Sequence, residues 1–220
     1  MCGRFVLAAD PASLQKAFSL ASPPDIQPRY NIAPTQTVPV ITNEAPNALS
    51  MLRWGLIPSW SKDMSAASKM INARAETAAE KPAFRAAFRR RRCLIPATGF
   101  YEWQARENGR APMFIYLKNT PVFAFAGLWE IWHSPQGDEM RTFTIITTEA
   151  NSFMRTIHDR MPVILHPADY ETWLDTSDVP VEVLCSLLRP FEAAEMHAYE
   201  VSKMVNRPTV DIPELIAPVA

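Results

Sequence analysis

The stretch from 93 to 148 constrains the fold most. Five aromatic or β-branched runs follow one another there: CLIP at 93–96, GFYEW at 99–103, MFIYL at 113–117, VFAFAGLW at 122–129 and TFTIITT at 142–148. Such runs suit pleated, half-buried strands rather than helices. Turn chemistry divides them, including Glu107-Asn108-Gly109 and Pro135-Gln136-Gly137. Strands joined by tight turns pair antiparallel with their neighbours. Residues 37–42 and 49–55 read as two more strands, and a last one lies near 197–202.

Helices decorate this core. Asp10 is a natural N-cap with Pro11 at the first helical position, and Leu14, Ala17 and Phe18 share a face, so a helix is expected over 11–19. Phe84 and Phe88 stand at i, i+4 within 76–90, a helical spacing. Shorter helices are expected at 149–156, 167–174 and 180–188. Residues 21–36 are punctuated by proline and read as an ordered loop around Arg29-Tyr30-Asn31; 61–70 are small and polar, hence loop. No repeat or linker interrupts the chain. The expectation is one α+β domain over 1–220, with a mostly antiparallel, barrel-like β core and short helices.

Composition removes several functions. Lys plus Arg is 22 against Asp plus Glu 23, a net charge of −1, so no bulk positive surface coats nucleic acid; any such site is local. With 6 glycines, neither a dinucleotide GxGxxG nor a phosphate-binding GxxxxGK occurs. The 3 cysteines are odd in number and lack a CxxC pair, and the 4 histidines show no HExxH spacing. No metal and no cofactor are expected. There is no signal-peptide core and no apolar run of the ~18 residues a membrane span needs, so no membrane partner is expected either. A reducing, cytoplasmic location fits, nucleoid-associated if the source is bacterial. Cys93 and Cys185 lie in apolar contexts and read as core.

Chemistry is concentrated in a few residues. Loss of Met1 would leave Cys2 with an α-amine and a thiol on adjacent carbons. The amine, with a reference pKa of about 7.7–8.0, is partly neutral at pH 7. It condenses with an aldehyde, and the thiol then closes a five-membered thiazolidine. From position alone, a buried core cysteine is the commoner reading. Glu102 sits in an apolar strand between Tyr101 and Trp103, where desolvation would raise its pKa; the alternative is an outward glutamate on a half-exposed strand. His158 precedes Asp159-Arg160-Met161-Pro162, a junction that tunes its proton or merely suits a helix end. Asn72, Arg74 and Glu76 share one side if extended, and suit a sugar or phosphate as well as a solvated strand end. Arg89 to Arg92 form either a phosphate clamp or a solvated face, and rank below Arg4 and Arg74. Taken singly, these residues define only a domain with a possible N-terminal nucleophile.

Eight segments in order change that reading. MCGRF at the start, RYNIAP at 29–34, RWGLIPSW at 53–60, INARAET at 71–77, RCLIPATGFYEW at 92–103, TIITTEAN at 144–151, IHDRMPVIL at 157–165 and VSKMVNRP at 201–208 resemble the SOS response-associated peptidase family, the abasic-site processing proteins. The resemblance implies a protein that crosslinks itself to abasic sites in single-stranded DNA, its expected partner. It implies Cys2 as nucleophile, Asn72 against the lesion sugar, Glu102 as acid/base and in N-terminal self-cleavage, and His158 at the ring oxygen. It implies Arg4, Arg74 and Arg160 on the DNA backbone; Asn31 is placed on the same DNA-binding surface, and Trp60 is read as a stacking or wedging platform beside it. The activity expected is crosslinking with autopeptidase and Schiff-base, lyase-type steps. A thiol peptidase acting on itself or in trans, and a non-catalytic single-strand binding module, are the competing readings. A monomer is expected, since a DNA groove needs no second chain.

Overall fold

Each of the five central runs forms a strand in the computed structural model, which describes residues 2–219. In chain order the first half contains β1 (Phe5–Leu7), α1 (Pro11–Phe18), β2 (Arg29–Ile32), β3 (Thr37–Thr42), β4 (Ser50–Trp54), β5 (Asn72–Arg74), α2 (Ala75–Ala78) and α3 (Arg85–Arg90). The second half contains β6 (Arg92–Ala97), β7 (Gly99–Arg106), β8 (Gly109–Leu117), β9 (Phe123–His133), β10 (Glu139–Glu149), β11 (Arg160–Pro162), β12 (Ile164–Leu165), α4 (Tyr170–Leu174), α5 (Val181–Ser186) and β13 (Met196–Glu200).

Strands β10, β4, β3, β6 and β9 pair in that order, and β9 pairs back onto β10, so five strands close into a barrel. Only β10 and β4 run parallel within the ring; the other pairings are antiparallel. The long β9–β10 hairpin turns at Gly137, whose φ of +93° is a conformation that a side chain resists. The second layer is an antiparallel sheet in the order β13-β8-β7-β1-β2. Phe5 joins the layers, its ring 5.3 Å from Trp54 and 5.8 Å from Phe125 in edge-on contacts. Gly99 lets the sheet pack tightly, since a Cβ there would lie 2.3 Å from the Phe114 ring and 2.8 Å from the Ile115 carbonyl.

The α+β barrel reading agrees with this architecture, and Asp10 caps α1 as expected through the Ser13 amide at 2.9 Å. Four local expectations change. The 21–36 loop contains a strand, β2, which exists because β1 pairs with it (Phe5↔Ile32). The helix over 76–90 divides into α2 and α3, with Pro82 between them. Residues 149–156 form only a short 3-10 turn, Met154–Thr156. Cys93 is buried but Cys185 is exposed: α5 turns Leu184 to the core, and the next residue points about 100° away. The arginine run is split as well. Arg92 is buried, donating to the carbonyls of Trp173, Phe88, Arg89 and Asp175, and Arg91 pairs with Glu130 at 2.8 Å, so half of the imagined phosphate clamp is internal scaffolding.

Candidate active site at the start of the first strand

Cys2 lies three residues before β1, which is zipped onto β7 by Phe5↔Phe100 and Val6↔Gly99. The Tyr101 amide donates to the Arg4 carbonyl at 3.0 Å, extending that zip toward the N-terminus. Continuing the register sets Gly3 opposite Glu102; Cys2 lies just before the paired strand, within reach of the charge of that carboxylate. Both side chains are buried, Cys2 at 0 % and Glu102 at 3 % exposure. Burial pushes the Cys2 thiol well above its ordinary value, and the charge of Glu102 adds to this. Burial likewise holds the Glu102 carboxyl above the usual carboxylate range, while the charge of His158 pulls it back. Glu102 therefore stands between the other two, its charge acting on Cys2 and that of His158 acting on it.

His158 reaches this place from the other layer. It follows the Met154–Thr156 turn, and its amide donates to the Met154 carbonyl at 2.8 Å. Its Nδ1 lies 3.0 Å from the Arg160 amide and 2.8 Å from an Asp159 carboxylate oxygen. The two contacts need opposite states: the amide requires a lone pair on Nδ1, the carboxylate a proton. The amide is fixed backbone, whereas Asp159 is exposed and its carboxylate is shared with water. A neutral ring with its proton on Nε2 satisfies the amide, and a protonated ring gains Asp159.

Asn72 and Arg74 lie on β5, which runs parallel to β10 with Ile145↔Asn72 and Thr147↔Arg74. The Asn72 Nδ2 donates to the Ile71 carbonyl at 3.0 Å, while its Oδ1 is buried without a hydrogen-bond partner. Beside them is a pocket of about 290 Å³ lined by Lys69, Lys81 and Phe84 as well as Asn72 and Arg74. On the opposite edge of β10, β11 carries Arg160. The Arg160 guanidinium crosses β10 to pair with both oxygens of Glu76, at 2.6 and 3.0 Å, and donates to the Thr147 carbonyl at 2.7 Å. That pairing holds the Glu76 carboxyl below its usual range.

Arg4 and Asn31 form a separate cluster across β7. Arg4 Nη1 donates to Asn31 Oδ1 and to the Val205 carbonyl, both at 2.7 Å, and its guanidinium lies 5.9 Å from the Trp103 ring centre. Asn31 is fully buried, and its Nδ2 donates to the carbonyls of Arg207 at 3.0 Å and Val210 at 2.6 Å. It therefore pins the C-terminal arm rather than facing solvent. Trp60 is 66 % exposed on the excursion between β4 and β5, whose backbone is held by the Trp132 indole donating to the Ser61 carbonyl at 2.7 Å. The structure thus couples Cys2, Glu102 and His158, links Asn72, Arg74 and Arg160 around β10, and sets Arg4 with Asn31 apart. Residue-type reasoning did not find Gln104, whose Nε2 donates to the Thr156 carbonyl at 2.8 Å and ties β7 to the turn that bears His158. Its period-two spacing from Glu102 was the available signal. Met1, whose removal would expose the Cys2 amine, lies outside the described residues. Among those described, no cluster of His, Cys, Asp or Glu could hold a metal ion, and no helix is long and apolar enough to cross a membrane.

A buried thiol, a buried carboxyl and a partly buried imidazole gather beside the first strand of a barrel-and-sheet domain. The profile of the SOS response associated peptidase (SRAP) family matches residues 1–208, and the chain belongs to that family. It is 46 % identical to abasic site processing protein YoqW of Bacillus subtilis, with 98 % of this chain and 99 % of that protein covered. Its identity to abasic site processing protein HMCES of Gallus gallus is 31 %, over 100 % of this chain and 78 % of that protein. A crystal structure of a protein from Bacteroides thetaiotaomicron superimposes with a TM-score of 0.89 at 30 % identity, over the full length of both chains.

Proposed function

We propose that this chain processes abasic sites in single-stranded DNA by bonding to them through Cys2. One observation carries the reading: the Cys2 thiol and the Glu102 carboxyl are buried together, and the charge of the carboxylate adds to the burial that raises the thiol. The abasic-site processing relatives supply the aldehyde substrate class. The chemistry requires that Met1 be gone, so that Cys2 presents an amine.

The neutral amine adds to the aldehyde carbon C1′ of the ring-opened deoxyribose, forming an N–C bond and a carbinolamine. Burial raises the proton affinity of Glu102, so its acid form can hand a proton to the departing hydroxyl; water leaves and an iminium remains. The same carboxylate then takes the thiol proton. The buried thiol resists ionisation in the resting site, but the iminium cation beside it favours the thiolate. Sulfur attacks C1′ and the ring closes, with nitrogen left neutral. The net change is aldehyde plus aminothiol to thiazolidine plus water, with no redox step. His158 carries protons to and from the sugar ring oxygen during opening, and Asn72 holds the sugar with its uncommitted Oδ1. With the imine consumed, β-elimination of the strand loses its intermediate, and this is why a cysteine serves better than serine or threonine here.

Binding before chemistry needs only a local track. Arg74 with Lys69 and Lys81, together with Arg4 and Arg160, supply positive charge, and Trp60 offers a stacking surface. Each phosphate contacted would contribute a slope of about −0.7 to the salt dependence on single strands. The test is incubation with an oligonucleotide containing one abasic site, followed by denaturing electrophoresis and intact mass. The expected product is a heat-stable adduct weighing protein plus DNA minus water, absent in Cys2→Ala, which keeps the amine but not the thiol. No adduct from protein lacking Met1, or turnover of a peptide substrate in its place, overturns the reading.

A further inference from the structure

Two groups that must exchange protons with one substrate atom set are carried here by two different layers. Glu102 rides on β7 of the open sheet. His158 rides on the irregular turn after β10 of the barrel. The turn is closed on itself by backbone bonds, with the Ile157 and His158 amides both donating to the Met154 carbonyl at 2.8 Å, so it moves as a piece. Nearby, Asn151 Nδ2 reaches the Met196 sulfur of β13 at 3.1 Å; from β7 to the turn itself runs a side-chain tie, the bond from Gln104 Nε2 to the Thr156 carbonyl at 2.8 Å. Its placement is symmetrical. Gln104 is two residues beyond Glu102 on the same face of β7, and Thr156 is two residues before His158. Thr156 also donates its hydroxyl to the Phe153 carbonyl at 2.8 Å, closing the turn against itself. A donor from β7 therefore fixes the turn as a unit.

We propose that Gln104 is a positioning residue: its amide braces the Met154–Thr156 turn against β7 and so sets the separation of His158 from Glu102. This inference rests on the crosslinking reading of the site. Gln104 touches no reacting atom and lies toward the rim, so its removal leaves the core intact. It acts by direction of donation: a carbonyl needs an N–H, and an amide supplies one where a carboxylate cannot. The groups that face the braced pair are Cys2 beside Glu102, and Asp159 and the Arg160 amide at His158. With the brace loosened, His158 withdraws from Glu102, the carboxyl loses the charge that pulls it down, and the acid limb of the pH–rate profile moves to higher pH.

The experiment compares wild type with Gln104→Ala, Gln104→Glu and Gln104→Lys. Single-turnover crosslinking to an abasic-site oligonucleotide is followed across pH, together with melting temperature and affinity for undamaged single strands. The Ala and Glu variants should crosslink about tenfold more slowly, the scale of an ångström-level misplacement, with the acid limb displaced upward. Lys restores an N–H donor over a similar reach and should recover most of the rate. Melting temperature and non-covalent affinity should not move. A second arm needs no reaction: imidazole ¹⁵N resonances of His158, assigned with His158→Gln, should change from one tautomer to an averaged pattern in Gln104→Ala. Equal rates and pH profiles in all four proteins overturn the brace, as does an unchanged His158 pattern. If the wild-type chain forms no adduct, the crosslinking reading itself fails, and the resonance arm alone decides the brace.

Discussion

The closed barrel and the open sheet solve different problems. In the barrel every strand edge of the ring is paired, and its internal charge is spent: Arg92 is enclosed by four carbonyls and Trp129 donates its indole N–H to Asn43 at 3.0 Å. In the sheet, β1 is only three residues long, and the groups beside it retain shifted proton affinities. The lesson is that the barrel encloses satisfied polar groups, while the groups with raised proton affinities stand at the seam between the layers. The seam is where a buried thiol and carboxyl can be kept at odds with their surroundings without endangering the core.

Substitutions on the two sides should separate these roles. The largest effect is expected from Glu102→Gln, which removes the acid/base group and should slow adduct formation by about a hundredfold or more, read by single-turnover gel kinetics. The same variant should be more stable than wild type at neutral pH. Because the folded carboxyl is raised, the folded state binds the extra proton and wild-type stability falls as pH climbs through and above the ordinary carboxylate range. The gap, measured by urea unfolding, should close on acidification. Arg92→Met on the barrel side should do the reverse: a loss of about 3 kcal/mol in urea unfolding, with crosslinking per folded molecule unchanged, because four carbonyls lose their donor. Asn31→Ala should cost about 2 kcal/mol and free the C-terminal arm, visible as faster amide exchange over 203–219. The smallest effect belongs to Glu76→Gln, where the half-exposed pair with Arg160 contributes less than about 1 kcal/mol. Glu76 is held low, so its contribution is present above the ordinary carboxylate range and is lost as pH falls through its lowered value. A melting series in acid with and without the substitution measures it.

Much of the barrel was legible because aromatic and β-branched runs report pleated surface directly; GFYEW and TFTIITT each became the centre of a longer strand. β2 was hidden, since RYNI has no strong strand signature and owes its form to β1. The arginine run deceived for a related reason: the chain changes from α3 to β6 within it, which turns Arg92 inward while Arg89 and Arg90 stay outside. In the site, Glu102 and Cys2 could be singled out by residue type, but their meeting depends on a register between strands almost a hundred residues apart. Asn31 faces the C-terminal arm rather than the expected DNA surface, because its partners at 205–210 lie far along the chain and no local pattern announces a carbonyl clamp.

The excursion between β4 and β5 has a consequence for how such chains change length. The Gly55 amide donates to the Phe143 carbonyl and the Ile145 amide to the Ile71 carbonyl, at 2.8 and 3.2 Å. The path thus leaves β10 and rejoins it two residues further on, while Ile57 and Ala67 bury against Trp132 and the Ser61 carbonyl receives its indole N–H. Length can change only at the exposed stretch 62–65, just beyond Trp60, where an added residue disturbs neither that small core nor the closure of the ring.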